Sequence, residues 1–171
     1  MRYTLLLTLF FSLAFSDITK LNSFEAEFIQ TITDEKGKEL SYSGKLKAKK
    51  PQFAFWSYET PIEKRVYIEK GRITIVEPEI EQVIVRNIRS DFDFFSLIQN
   101  AKKISQNRYT AEFEGSKVNI EIHNSLISTL HYKDKFDNDV TIHFQKQKEN
   151  SRLASELFEA DYPREYDLIT E

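Results

Sequence analysis

The sequence predicts a mainly β fold: one long, curved antiparallel sheet with a small helical lid. From residue 23 to about residue 146, strand patterns and turn signals alternate roughly every 8–12 residues, which is typical of antiparallel sandwiches and barrels. Two segments, near residues 90–103 and 151–158, break this rhythm with helical patterns. One or two helices over a many-stranded sheet give a half-open barrel that a lid covers.

The first residues have the features of a signal peptide. Arg2 supplies a positive charge, an apolar run covers residues 5–15, and the small residues Ala14 and Ser16 fit a cleavage site before Asp17. A membrane anchor that stays attached is the alternative, but the run is short for a hydrocarbon core of ~30 Å. We therefore expect a signal peptide at 1–16, cleaved near Ser16-Asp17, and a single exported domain at 17–171.

Composition argues against several classes of protein. The chain of 171 residues has no cysteine, which predicts a domain with neither a lipid anchor nor disulfides. A formal net charge of −3 gives no electrostatic reason to expect nucleic-acid binding. No P-loop, dinucleotide fingerprint or nucleophile elbow occurs, so neither an enzyme nor a cofactor is expected. His123, His131 and His143 lack zinc-site spacing, and no metal site is predicted.

The first predicted hairpin begins with a half-buried strand. Phe24, Ala26 and Phe28 alternate with glutamates, which puts the apolar side chains on one face. The loop at 34–38 contains Gly37, which is suited to a positive φ. A return strand with apolar residues at alternate positions, including Leu46, completes the hairpin.

The most informative stretch is residues 49–61, with the sequence Lys-Lys-Pro-Gln-Phe-Ala-Phe-Trp-Ser-Tyr-Glu-Thr-Pro. As a strand it places Phe53 and Phe55 on one face and Ala54, Trp56 and Tyr58 on the other. A strand that is apolar on both faces must lie between two covered surfaces or line a cavity. Further strands are predicted at 65–68, 72–76, 82–86, 108–113, 117–123, 126–132 and 140–144.

The main helix is predicted to start at an N-cap, Ser90-Asp91. Phe94, Leu97, Ile98 and Ala101 form one apolar stripe. The cations Lys102-Lys103 are expected to close the helix, where they suit its dipole. The stripe fits a lid over the sheet and equally fits ordinary core packing. A second, shorter helix is predicted at 151–158.

The supply of aromatic residues indicates a cavity for a hydrophobic ligand. The chain has 14 Phe, 8 Tyr and one Trp, and a single curved sheet under a thin lid has only one interior to hold them. Large rings in such an interior can line a concave apolar site, which is what hydrophobic ligands require. A close-packed sandwich core would have the same composition.

Several segments resemble the outer-membrane lipoprotein carriers of the LolA family. The most specific similarity is the run from Gly44 to Pro61, in which a basic residue and a proline precede an aromatic strand. Residues 23–30 are similar to the opening strand of that family, and residues 158–163 are similar to its closing aromatic-proline segment.

This resemblance implies a half-open antiparallel barrel of about eleven strands with a helical lid. It implies a periplasmic chaperone, a monomer, that binds the acyl chains of lipoproteins. Its partners would be an inner-membrane lipoprotein-releasing ABC transporter and an outer-membrane acceptor. The cavity and lid would include eight apolar residues: Phe28, Leu46, Phe53, Phe55, Trp56, Phe94, Leu97 and Ile98. Either face of the strand at 53–58 could line the cavity, so at least one of its three aromatic residues in this set is expected there.

Lys50 stands where the family has an arginine that bonds to the lid and holds the empty form closed. Lysine keeps the positive charge but lacks the planar fork of donors, so it is expected to make a weaker, less directional lock. A periplasmic protein that binds or senses another lipid or glycolipid with the same half-barrel is the main alternative function. A secreted hydrolase is a third alternative, which would need a nucleophile and a base.

Overall fold

The computed structural model describes residues 18–87, 94–113 and 115–171, and most of them belong to one twelve-stranded sheet. The strands lie in the order β12-β6-β5-β4-β3-β2-β1-β11-β10-β9-β8-β7. Their bounds are β1 Ser23–Thr33, β2 Glu39–Lys49, β3 Phe53–Thr60, β4 Lys64–Glu69, β5 Arg72–Glu77, β6 Gln82–Asn87, β7 Lys102–Ser105, β8 Arg108–Phe113, β9 Ser116–His123, β10 Leu126–Lys133, β11 Asp139–Glu149 and β12 Asp167–Thr170.

Antiparallel pairing joins every neighbouring pair except one. Consecutive strands form hairpins from β1 to β6 and from β7 to β11, and β1 pairs with β11 to join the two halves. The exception is β12, which pairs in parallel with β6 at one edge. The predicted mainly β, open antiparallel fold is confirmed, with twelve strands against the expected eleven or so.

Helical structure is sparse in the described residues. The one α-helix, α1, spans Phe94–Gln99, and three short 3-10 turns lie at Ile18–Lys20, Pro78–Ile80 and Ser155–Phe158. None of these helices has the length and apolar character needed to cross a membrane. The predicted cap Ser90-Asp91 lies outside the described residues.

Two helical predictions need correction. Lys102 and Lys103 do not close α1 but begin β7. All four residues of β7 are exposed, so the strand shows no alternation of buried and exposed side chains. The C-terminal helix predicted at 151–158 is reduced to the 3-10 turn Ser155–Phe158, and the preceding residues are extended.

The sheet has a concave and a convex face. Inward side chains from β5, such as Ile73, and from β8, such as Tyr109, belong to one contiguous apolar cluster although seven strands separate β5 from β8 in the sheet order. This sharing requires the sheet to curl around the cluster. On the convex face a smaller cluster, centred on Tyr67, Val76 and Val83, lies under the C-terminal segment.

The two ends of the barrel differ. β1 begins at Ser23 beside the 3-10 turn Ile18–Lys20, and we call this the lid end. It ends at Thr33, opposite Asp139 of β11 and Glu39 of β2, and we call this the loop end. The loops at 34–38, 61–63 and 134–138 all project from the loop end.

Candidate functional site

The concave face carries the larger of the two buried apolar clusters in the described residues. Alternate side chains of nine strands point to this face. Gly44 of β2 lets the aromatic rings of β1 and β3 come into contact across it. A Cβ at Gly44 would contact the backbone carbonyl of Ser57 and lie 2.9 Å from Phe28 Cζ. Because no side chain intervenes, the Phe28 ring packs edge-on against Tyr58, with centroids 5.1 Å apart.

Six of the eight predicted site residues lie together in this concave cluster. The sheet contributes three side chains and α1 contributes the other three. Leu46 and Phe28 are fully buried, and Trp56 is partly exposed and packs edge-on against Phe28 at 5.2 Å. The six are Phe28, Leu46, Trp56, Phe94, Leu97 and Ile98.

Phe53 and Phe55 lie on the opposite face, and their predicted place in the same cavity is wrong. Phe55 stacks on Tyr67 at 4.7 Å within the convex cluster, and Phe53 packs against Phe158 of the C-terminal segment at 5.6 Å. Adjacent residues of a strand point to opposite faces, so these two rings cannot share a surface with Trp56. Each face of β3 packs against an apolar cluster, so the sequence correctly indicated a strand with apolar surroundings on both sides.

The helix α1 covers the lid end of the concave face. Its four apolar side chains, Phe94, Phe95, Leu97 and Ile98, are buried, and the Phe94 ring stacks on Phe24 with centroids 5.1 Å apart. Such stacked aromatic pairs are worth about 0.5–1.5 kcal/mol beyond the area they bury.

The N-terminal 3-10 turn belongs to the same cover. Ile18 and Leu21 are almost fully buried in the concave cluster. Sequence reasoning did not place them in the site, although two apolar residues three positions apart directly before the first strand are a signal that they share one side of a helical turn.

Lys50 contacts both parts of this lid. Its ammonium is 3.5 Å from the backbone carbonyl of Thr19 in the 3-10 turn and 6.0 Å from the centre of the Phe95 ring in α1. Both contacts are long, which fits a lysine that acts as a point charge and makes no bidentate bonds. The residue thus lies where a lock between sheet and lid would have to lie.

The loop end of the concave face is less covered. Ile32, Tyr58, Phe113 and Tyr132 pack against the concave cluster but remain partly exposed, and the Phe113 and Tyr132 rings meet at 6.4 Å. Leu40, opposite Ile32 in the register, is 46% exposed. Apolar surface is therefore accessible at the loop end and covered at the lid end.

A separate, polar depression lies on the outer side of β9, β10 and β11. It has a volume of about 580 Å³, and Glu121, Thr129 and His143 are among its lining residues. Thr129 Oγ1 and His143 Nδ1 are 3.2 Å apart, and His131 pairs with Asp139 at 3.7 Å. Across residues 18–87, 94–113 and 115–171, no three His, Asp or Glu side chains are grouped in a way that could hold a metal ion.

Comparison with known proteins identifies the family. Residues 19–114 match the profile of the outer membrane lipoprotein carrier protein LolA. The chain is 35% identical over 148 residues to the outer-membrane lipoprotein carrier protein of Campylobacter jejuni, covering 86% of each chain. It is 35% identical to the protein of the same name in Wolinella succinogenes over 170 residues, covering 99% of each. The chain belongs to the LolA family.

Solved structures give the same fold at much lower identity. A LolA superfamily protein of Nitrosomonas europaea superposes with a TM-score of 0.53 at 11% identity, covering 86% of this chain and 96% of that one. An uncharacterised conserved protein of Thermus thermophilus has a TM-score of 0.54 at 8% identity, covering 91% and 94%. These two similarities show that solved structures share this fold over most of the chain.

Proposed function

We propose that this protein carries acylated lipoproteins through the periplasm to the outer membrane, holding their acyl chains against the concave face. The observation that carries the proposal concerns the described residues: α1 and a 3-10 turn cover the lid end of an extensive apolar concave face, and its loop end stays partly exposed. Family membership supports the same role, because the curated relatives are named outer-membrane lipoprotein carrier proteins. The protein is a carrier and not an enzyme in this proposal.

The energetics of loading support such a cargo. Turning α1 away from the sheet exposes its four buried apolar side chains, which costs about 6–12 kcal/mol at 1.5–3 kcal/mol per side chain. An acyl chain returns about 0.8 kcal/mol per buried CH₂, so a chain with about fifteen of them returns about 12 kcal/mol. One acyl chain roughly offsets the opening of the lid, and a second or third makes loading favourable.

The cycle that follows has three steps. An inner-membrane ABC transporter delivers the lipoprotein and α1 leaves the concave face as the acyl chains enter. The loaded protein diffuses as a monomer. An outer-membrane acceptor then takes the cargo, α1 closes again, and Lys50 restores its contacts with Thr19 and Phe95, which stabilise the empty form.

Mass spectrometry of the protein purified from the periplasm tests this function. We expect acylated lipoproteins to co-purify, and we expect delipidated versions of the same proteins to be absent from the complex. Free phospholipid or glycolipid in place of lipoprotein would contradict the proposal and would favour a lipid carrier or sensor built on the same half-barrel.

A further inference from the structure

Three polar side chains meet on the concave face near the loop end, where the surrounding surface is apolar. Gln30 of β1, Tyr58 of β3 and Lys64 of β4 occupy inward positions, because Tyr58 is opposite both Gly44 and Lys64 in the register and Gln30 is opposite the inward Tyr42. We call these three residues the polar recess. Alternation alone would favour apolar residues at all three positions.

The contacts within the recess fix the roles of its groups. The Tyr58 hydroxyl donates to Gln30 Oε1 at 3.0 Å, and the Lys64 ammonium lies 4.7 Å from the centre of the Tyr58 ring. Burial raises the pKa of the Tyr58 hydroxyl, and the neighbouring Tyr132 and Tyr42 act in the same direction. Tyr58 therefore remains a protonated donor at any physiological pH.

The recess therefore presents several donors, and its one internal hydrogen bond already uses Gln30 Oε1 as an acceptor. Gln30 Oε1 already accepts from Tyr58, which leaves the two amide hydrogens of Gln30 Nε2 for another partner. Among the described residues, no carboxylate forms an ion pair with the Lys64 ammonium, which contacts the Tyr58 ring. Gln30 and Lys64 are partly exposed, so water solvates these donors when the site is empty, and a ligand that supplies acceptors gains a net of about 0.5–1.5 kcal/mol for each hydrogen bond.

We propose that the polar recess binds the ester and amide carbonyl oxygens at the head of an acylated cysteine. This assignment rests on the proposed carrier function and adds the group that the site recognises. Carbonyl oxygens are neutral acceptors, and several of them meet where acyl chains join the glycerol and the cysteine nitrogen. Gln30 Nε2 and Lys64 Nζ supply the complementary donors.

The spacing along β1 agrees with this orientation of the cargo. Gln30 is six residues from Phe24, on which Phe94 of the lid stacks, and six strand residues span about 20 Å. That distance is comparable to the length of an extended palmitoyl chain. If the carbonyl groups bind at the polar recess, the far end of the acyl chain reaches the position of α1 and displaces it. The polar end of the cargo and its peptide then stay at the open loop end.

The test compares Lys64→Met, Gln30→Leu and the control Lys117→Met for binding of two probes. One probe is a triacylated cysteinyl lipopeptide, and the other is its analogue with ether links in place of the esters. Lys117 is exposed on the outward face of β9 and serves as the matched lysine. We expect each recess variant to bind the ester lipopeptide about tenfold more weakly, since a lost hydrogen bond to a charged or amide donor is worth about 1–2 kcal/mol. Binding of the ether analogue should change less than twofold.

Other outcomes overturn the assignment. Equal losses for both probes would mean that the recess acts through packing and not through hydrogen bonds to the ester carbonyl oxygens. Unchanged lipopeptide binding by variants with the same thermal midpoint as the wild type would refute the role of the polar recess and leave the carrier function intact. A wild-type protein that binds neither probe refutes the carrier function together with the recess.

Discussion

The two faces of β3 are both apolar, yet they are covered in different ways. The concave face is covered at the lid end by α1 and the 3-10 turn, whose contacts with the sheet are made by side chains such as Phe94 and Ile18. The convex face is covered by the C-terminal segment, which ends in β12 and pairs with β6 through backbone hydrogen bonds. Asp167 N donates to Glu81 O at 2.8 Å and Glu171 N donates to Val85 O at 3.0 Å.

This difference separates a removable cover from a permanent one. A helix of six residues is unstable by itself, so α1 keeps its shape only while the concave face supports it. A strand in a ladder is held by several backbone bonds that break together. The protein can expose one side of β3 to cargo while the other side stays closed and keeps the sheet in shape.

The largest expected effect comes from placing a charge under each cover. Val83→Asp, in the convex cluster, should lower the free energy of unfolding by about 4 kcal/mol or more, because Val83 is fully buried. Leu97→Asp should lower it by less, because Leu97 is slightly exposed on a helix of six residues that can shift locally and bring the new carboxylate to water, but it should abolish lipopeptide binding. Urea unfolding and a lipopeptide titration measure the two properties. A Leu97→Asp protein as unstable as Val83→Asp would show that α1 is core and not a lid.

An intermediate effect is expected from two adjacent lysines that contact different covers. Lys50 reaches the lid, whereas Lys49 Nζ donates to Leu153 O of the C-terminal segment at 2.9 Å. Lys50→Leu weakens the closed empty form, so loading should persist and delivery to the outer membrane should fall severalfold. Lys50→Arg should leave delivery unchanged or increase it.

The control for this pair is Lys49→Leu, which should leave delivery unchanged. Cell fractionation that follows one acylated lipoprotein measures all three variants. Normal delivery by Lys50→Leu would reduce this lysine to a polar strand end with no part in the lid.

The smallest effect is spectroscopic. Trp56 is the only tryptophan and lies on the concave side of β3, so a bound lipopeptide should shift its emission. The double variant Trp56→Phe with Phe55→Trp moves the indole by one residue to the convex face, where its emission should not respond. If the emission of both proteins shifts on lipopeptide binding, or if neither shifts, the claim that only the concave face of β3 binds cargo is wrong.

Much of the fold could be predicted from the sequence because the strands are long and one-sided. Alternation of Phe24, Ala26 and Phe28 and the loop with Gly37 gave the first hairpin, and Gly37 has the expected positive φ of 78°. The missed strands lack such a pattern. β7 is exposed throughout, and β12 has four residues and pairs in parallel with β6, a strand far earlier in the chain.

The site was harder to predict than the fold. Alternation separates Phe55 from Trp56, but nothing in residues 49–61 says which face the lid takes, because that depends on where the C-terminal segment docks. Gln30 was identifiable in principle, as a polar residue at an inward position of a strand that is otherwise apolar on that face. Its meeting with Tyr58 and Lys64 depends on the register of four strands, which single-sequence patterns do not give.

An open sheet leaves two edges whose unpaired backbone groups invite other strands to join, and such edges are a common origin of aggregation. Both terminal strands here have only four residues. β7 begins with the exposed pair Lys102-Lys103, whereas β12 begins with the acidic residue Asp167 and is followed by Glu171. Short, charged edges of opposite sign give little template for a growing ladder. A half-barrel can thus remain dispersed at high concentration, even when its apolar interior is open to a passing lipid.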